Sequence, residues 1–143
     1  MTAFADSSAL VKLYADESGS DVVRNLGVLV VSALARVEVP AAIWRKVRTG
    51  ELDAASAQVL VEEFEADYYG EEDQAERFVA VGVDDDLLGA AAGLAARHSL
   101  LAYDAVQLSS ALAVRQSAPQ CHTFAAFARH LCVAAATEGF RIL

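Results

Sequence analysis

The chain alternates between short, continuous apolar runs and longer stretches whose apolar positions recur at helical spacing. Thr2 to Ala5 is a short apolar run ending on Asp6, which predicts a strand. From Ser8 to Ala15, Leu10, Val11 and Tyr14 fall at helical spacing, predicting a short helix that stops near Gly19. The run LGVLVVS, around Val28 to Val31, is β-branched and too short for a helix, and its continuity suits a buried parallel strand. Ser32 stands where it would cap the next helix, which runs towards Thr49 and Gly50. Pro40 inside that helix removes the hydrogen bond to the Arg36 carbonyl, so a kink is expected.

The second half repeats the pattern. LDAASAQVLVEEFEADYYG predicts a long helix capped by Asp53, ERFVAVGV a third strand around Phe78 to Val83, and DDDLLGAAAGLAARHS a helix with acids in its first turn, where they favour the dipole. LLAYDAVQLSSALAVR predicts another helix starting near Asp104. After the break at Pro119, QCHTF reads as a fourth strand, AAFARHLCVAAA as a helix and GFRIL as a last strand. Strands separated by helices throughout imply an α/β fold with a mostly parallel central sheet of about five strands flanked by helices.

Composition narrows this picture. At 143 residues the chain fits one domain spanning 1–143, and an apolar content of 55% supplies a real core. Met1 to Ala5 lacks a basic n-region, and no apolar run reaches the roughly 18 residues of a membrane span, so a cytoplasmic protein with no membrane association is expected. Cys121 and Cys132 lie in apolar surroundings and read as buried reduced thiols. The formal net charge of −9 argues against coating nucleic acid by bulk electrostatics. A local exception is the basic segment holding Arg36, Arg45, Lys46 and Arg48, with Trp44 among them.

Three carboxylates stand out. Asp6 sits at the carboxyl end of the first strand, where ligands of open α/β sheets bind, although it could equally cap the following helix, as could Ser7 or Ser8. Glu38 falls on the apolar face shared by Leu34, Val37 and Ala41, and a buried Glu there must be paired, protonated or bound to a cation; Arg36 and Arg45 are the candidate ion-pair partners. Asp104 follows Tyr103 at a helix start, as a cap, a first-turn acid or a ligand. The acidic run from Glu62 to Asp67 and that from Glu71 to Asp73 read as solvated surface, and the triplet Asp84 to Asp86 follows a strand end. His98, His122 and His130 have no metal-ligand spacing, and neither a nucleophile elbow nor a glycine-rich phosphate loop is present. The remaining chemistry is that of oxygen ligands, suited to Mg²⁺ or Mn²⁺.

Taken in order, FADSSALVKLY, VVSALARVEVPAA, LLAYDAVQLSSAL, HTFAAFARHL and the closing GFRIL resemble a PIN-domain ribonuclease, and in particular the VapC-type toxins of toxin-antitoxin pairs. The resemblance covers nearly the whole chain. It implies a Mg²⁺ or Mn²⁺ dependent endoribonuclease, a hydrolase of RNA phosphodiesters. Asp6 and Asp104 would be metal ligands, and Glu38 would complete the catalytic set as a ligand, water-mediated ligand or proton acceptor. Ser8 and Thr123 would orient carboxylates or metal waters, and the segment carrying Arg36, Arg45, Lys46 and Arg48 would contact the RNA backbone. The resemblance further implies a homodimer silenced by a VapB-type antitoxin.

Two positions depart from the pattern. Relatives usually carry an acid in a TxD-like turn after the fourth strand, where this chain has Thr123, Phe124 and Ala125, so weaker metal binding and a doubtful second metal are expected. Gln107 stands where many relatives have His, a position read as packing or RNA contact. The missing acid keeps a second reading open, a catalytically weakened PIN fold acting as an RNA- or protein-binding module. A receiver-like signalling domain fails because neither lysine, Lys12 or Lys46, follows a late strand.

Overall fold

The computed structural model describes residues 2–143. Five strands, β1 (Ala3–Ala5), β2 (Leu29–Ser32), β3 (Phe78–Val81), β4 (Thr123–Ala125) and β5 (Arg141–Ile142), form one sheet in the order β3-β2-β1-β4-β5, and every pairing is parallel. The three central strands are buried along their whole length, as strands covered on both faces must be. Seven helices provide that cover: α1 (Ser7–Tyr14), α2 (Ser20–Arg24), α3 (Ala35–Arg48), α4 (Ala54–Tyr69), α5 (Asp85–His98), α6 (Ala102–Ser117) and α7 (Arg129–Thr137).

Side-chain alternation along the strands splits the core in two. Ala3, Ala5, Val31 and Phe78 pack with Leu10, Val39, Ile43 and Phe64 from α1, α3 and α4. Phe4, Val30 and Phe124 pack on the other face with Leu94, Leu108 and Leu131 from α5, α6 and α7. From β1 the chain steps outward through β2 to β3, then returns to the opposite side of β1 as β4 and continues to β5. The gap beyond the carboxyl ends of β1 and β4 is therefore the topological switch point, where a ligand crevice opens in this class of sheet.

Several local expectations are corrected. Ser32 is the last residue of β2, and its Oγ accepts from the Leu34 amide at 3.2 Å; α3 begins at Ala35 without a side-chain cap. The helix expected from Ala125 onward starts only at Arg129, because parallel pairing of β4 with β1 draws Ala125 into the sheet against its helical propensity. α1 ends at Tyr14, and Gly19, at φ 90°, instead opens α2, an element the periodicity did not predict. A Cβ on Gly19 would stand 2.6 Å from the Phe127 ring, so this position also needs glycine for close approach. Asp67, read as a solvated acid, accepts from the Tyr14 hydroxyl at 2.6 Å.

Other expectations match. Asp53 caps α4, accepting from the Ser56 amide. Asp84, read only as an acid after a strand end, proves to cap α5 by accepting from the Leu87 amide. α3 runs through Pro40 to Arg48. Both cysteines are free, but only Cys121 is buried as expected; Cys132 is half-buried. Among the described residues no helix is long and apolar enough to cross a membrane.

Candidate active site

Asp6 is delivered to the switch point by β1, and its amide donates to the Ala125 carbonyl at 3.0 Å. Its reading as a helix cap is realised at this strand end. Its Oδ1 accepts from the Ala9 amide (3.0 Å) and the Ser8 hydroxyl (2.7 Å), which caps α1. Both bonds fall on one oxygen of a side chain that is only 4% exposed. Burial pushes the Asp6 carboxyl up to about 6; the Ser8 and Ala9 bonds pull against that shift, and the charges of Asp104 and Glu38 add to it. The carboxylates singled out on three separate elements thus act on one another electrostatically.

Ser8 also accepts from the Phe127 amide at 2.9 Å, tying the loop after β4 to the Asp6 carboxylate. Its neighbour Ser7, turned about 100° around α1, donates instead to Glu38 Oε1 at 3.0 Å. Gln107 Nε2 donates to the same oxygen at 2.7 Å and to Ser7 Oγ at 3.1 Å. The expected ion pair of Glu38 with Arg36 or Arg45 does not form: Arg36 lies two positions away on the far side of α3, with its guanidinium 5.0 Å from the Tyr69 ring centroid. Neutral donors fix Glu38 in place without cancelling its charge.

Asp104 is the third residue of α6, a first-turn acid rather than the cap, since Leu101 holds the capping position and makes no side-chain bond. Burial raises its carboxyl, and the nearby His130 offsets part of the rise. His130 Nε2 donates to the His98 carbonyl, so the ring is already anchored at one end.

The remaining candidates separate. Thr123 opens β4 opposite Ala3, three residues short of Asp6, or about 10 Å along the strand at roughly 3.3 Å per residue, and does not join the carboxylates. Ala125 pairs with Ala5 and packs, 1% exposed, in the core cluster that includes Ala5 and Ala9. The next residue, Ala126, is equally buried, so neither position supplies an acid. Lys46 is committed to Glu17 at 2.7 Å and lies 3.8 Å from Glu51. Arg45 and Arg48 make no ion pair among the described residues, and with Glu38, Leu34, Val37 and Tyr103 they line a groove of about 500 Å³. A larger groove, about 850 Å³, lies between α5 and α6 and touches none of the three carboxylates; Asp84 lines it and is already occupied as a helix cap.

Sequence reasoning missed Ser7 and gave Gln107 a different role. One signal was available for Gln107: it stands three residues after Asp104, and i, i+3 positions share a helix face. Nothing local marks Ser7, whose partner is 31 residues away.

Among the described residues no three His, Cys, Asp or Glu side chains converge closely enough to enclose a metal ion. The donor set nonetheless suits a hard divalent cation. Mg²⁺ is commonly held by only one or two carboxylates with waters completing its shell, and Asp6 and Asp104 both carry charge that burial leaves uncompensated.

Structural comparison identifies the fold. VapC20 of Mycobacterium tuberculosis, a sarcin-ricin loop cleaving toxin, matches with a TM-score of 0.63 over 97% of this chain and 96% of its own, at 15% sequence identity. PAE2754 from Pyrobaculum aerophilum matches with a TM-score of 0.61 over 94% of this chain and 79% of its own, at 22% identity. The chain has a VapC-type PIN fold. No protein-family model and no curated protein sequence matches it. Within this fold Asp6 stands at the β1/β4 switch point, and the charges of Glu38 and Asp104 reach it there.

Proposed function

We propose that this chain is a Mg²⁺ or Mn²⁺ dependent endoribonuclease acting as the toxin of a toxin-antitoxin pair. The observation that carries the reading is Asp6, a buried carboxylate at the switch point whose acidity is weakened by burial and by two further carboxylates, and which forms no ion pair among the described residues. Perturbed acids in a crevice of this kind mark functional sites. Asp6 and Asp104 would hold the ion, which when bound supplies Lewis acidity and an activated water.

The chain's own residues do the rest. Ser8 and the Ala9 amide fix Asp6 through Oδ1. Glu38, gripped through Oε1, presents Oε2 as the proton acceptor. Arg45 and Arg48 meet RNA phosphates in the groove beside Glu38, and Tyr103, 64% exposed, offers a ring on which an unpaired base stacks. The exposed Val37 and Leu101 provide apolar contact area for a protein partner, consistent with a VapB-type antitoxin and a homodimer in the cytoplasm.

Incubating the purified chain with structured RNA, with Mn²⁺ or with a chelator, tests the reading. Asp104→Asn should cut cleavage by at least about 100-fold with an unchanged melting temperature; a variant as active as the parent would remove Asp104 from the site. A second reading, a PIN fold that binds RNA or protein without efficient cleavage, is favoured by Ala125 in place of an acid. RNA binding without metal-dependent cleavage would decide for it.

A further inference from the structure

Gln107 is 2% exposed, and its neighbours on the inner face of α6, Leu108 and Ala111, are fully buried. Its amide is used on one side only. Nε2 donates to Glu38 Oε1 and to Ser7 Oγ, and Ser7 donates to that same Oε1, so side chains from α1, α3 and α6 close a ring on a single carboxylate oxygen. The amide must face this way, because a carboxylate accepts and the Gln nitrogen donates. Its other atom, Oε1, is buried with no hydrogen-bond partner, the only such side-chain atom among the described residues.

A buried carbonyl oxygen without a partner lowers stability, and native structures keep few of them. Methionine would fill nearly the same volume among the same apolar neighbours without that cost. Packing therefore does not account for glutamine here; its two donated bonds do. We infer that Gln107, assisted by Ser7, is a positioning residue that locks the Glu38 carboxylate through Oε1 and leaves Oε2 facing the crevice. The inference rests on Glu38 serving the reaction proposed above, but the locking itself is a property of the protein alone.

Gln107→Met tests both levels. In protein carrying ¹³C-labelled glutamate carboxyl groups, assigned through Glu38→Gln, the Glu38 resonance should shift and broaden as the side chain gains rotamers. The melting temperature should equal or exceed that of the parent. kcat on RNA should fall about 10–100-fold, the usual loss when a residue orienting a site carboxylate is removed, with KM unchanged. Gln107→His, which returns a ring N–H donor, should restore part of kcat. If Gln107→Met melts several degrees lower, Ser7→Ala, which leaves the Gln107 packing intact, carries the same two readouts. An unmoved Glu38 resonance, or a kcat within twofold of the parent in a cleaving protein, would overturn the inference. A parent protein that cleaves no RNA would instead overturn the nuclease reading, with the Glu38 resonance still deciding the positioning role.

Discussion

Two shielded carboxylates flank α1, and the chain treats them in opposite ways. Glu17, beyond its carboxyl end, receives Lys12 at 2.9 Å and Lys46 at 2.7 Å; burial alone would raise its carboxyl, but these two lysines outweigh burial and hold it below the ordinary range. Asp6, at the amino end, receives a hydroxyl and an amide, and its charged neighbours are Glu38 and Asp104. The chain contains just two lysines, and both are spent on Glu17. Compensation is thus available within the same layer of structure, yet among the described residues Asp6 forms no ion pair and Asp104 has only the partial offset from His130. The cluster at Glu17 is satisfied internally and serves stability, whereas the carboxylates around Asp6 keep an excess of negative charge, which is what the proposed cation site requires.

Adding a further acid beside Asp6 should break the contrast most severely. Ala125→Asp puts a carboxylate into a position that is 1% exposed, so metal-free protein at neutral pH should lose about 3–5 kcal/mol, the cost of an uncompensated buried charge. Mn²⁺ should recover part of that loss if the new side chain reaches the crevice. Thermal melts with and without Mn²⁺ measure both, and an unchanged melting temperature would show that Ala125 opens to solvent.

Removing a charge at Asp6 should act in the opposite direction. Its folded-state value of about 6 lies above the unfolded value of 3.8, so the protonated form stabilises the fold below pH 3.8 and that contribution is lost as pH rises through 6. Asp6→Asn, which retains a capping oxygen, should therefore melt higher than the parent at pH 7.5 without metal, by the order of 3 kcal/mol, and the gap should close between pH 6 and 4. Mn²⁺ should stabilise the parent and not the variant. A variant less stable than the parent across this range would show that the cap outweighs the repulsion.

Glu17→Gln should do the reverse of Asp6→Asn at the other end of α1. The glutamine keeps one acceptor oxygen for two lysines and no charge, so Lys12, 8% exposed, and Lys46 lose their counter-ion, and stability at neutral pH should fall by roughly 1–3 kcal/mol. Because the folded-state value is depressed, the parent's advantage is present above the ordinary Glu range and fades as pH falls below it. Urea melts at pH 7 and pH 3 check the sign; equal stability at pH 7 would mean that the lysines find solvent.

The smallest effect belongs to the basic face. Arg48→Ala should weaken binding of a single-stranded RNA a few-fold and reduce the salt slope by about one, whereas Arg36→Ala, on the far side of α3, should change neither. Equal effects of the two would remove the groove beside Glu38 from the RNA path.

The fold and the site were legible in the sequence to different degrees. β1, β2 and β4 announce themselves because a strand buried on both faces must be apolar at consecutive positions. The cap at Asp53 was readable because a cap reaches only three residues ahead. Asp6 and Asp104 stood out for the same reason, since a strand end and a helix first turn are local features. The start of α7 was misplaced because Ala125 suits helix and sheet alike until its pairing with Ala5 of β1 draws it into β4, which delays the helix to Arg129. The partners of Glu38 were misread because Arg36 and Arg45 are its neighbours in sequence, whereas Ser7 and Gln107 are 31 and 69 residues away.

By itself the sequence determined the alternation of strand and helix, the parallel sheet that follows from it and the carboxylates at its ends, because periodicity, burial on two faces and capping act over a few residues. Only the tertiary structure decided which charges are neutralised: Lys46 crosses to Glu17, Gln107 and Ser7 close on Glu38, and Thr123 stays three residues short of the site. Those choices depend on how three helices pack around one strand end, and Coulomb and hydrogen-bond energies fall steeply enough with distance that a shift of a few ångströms selects the partner.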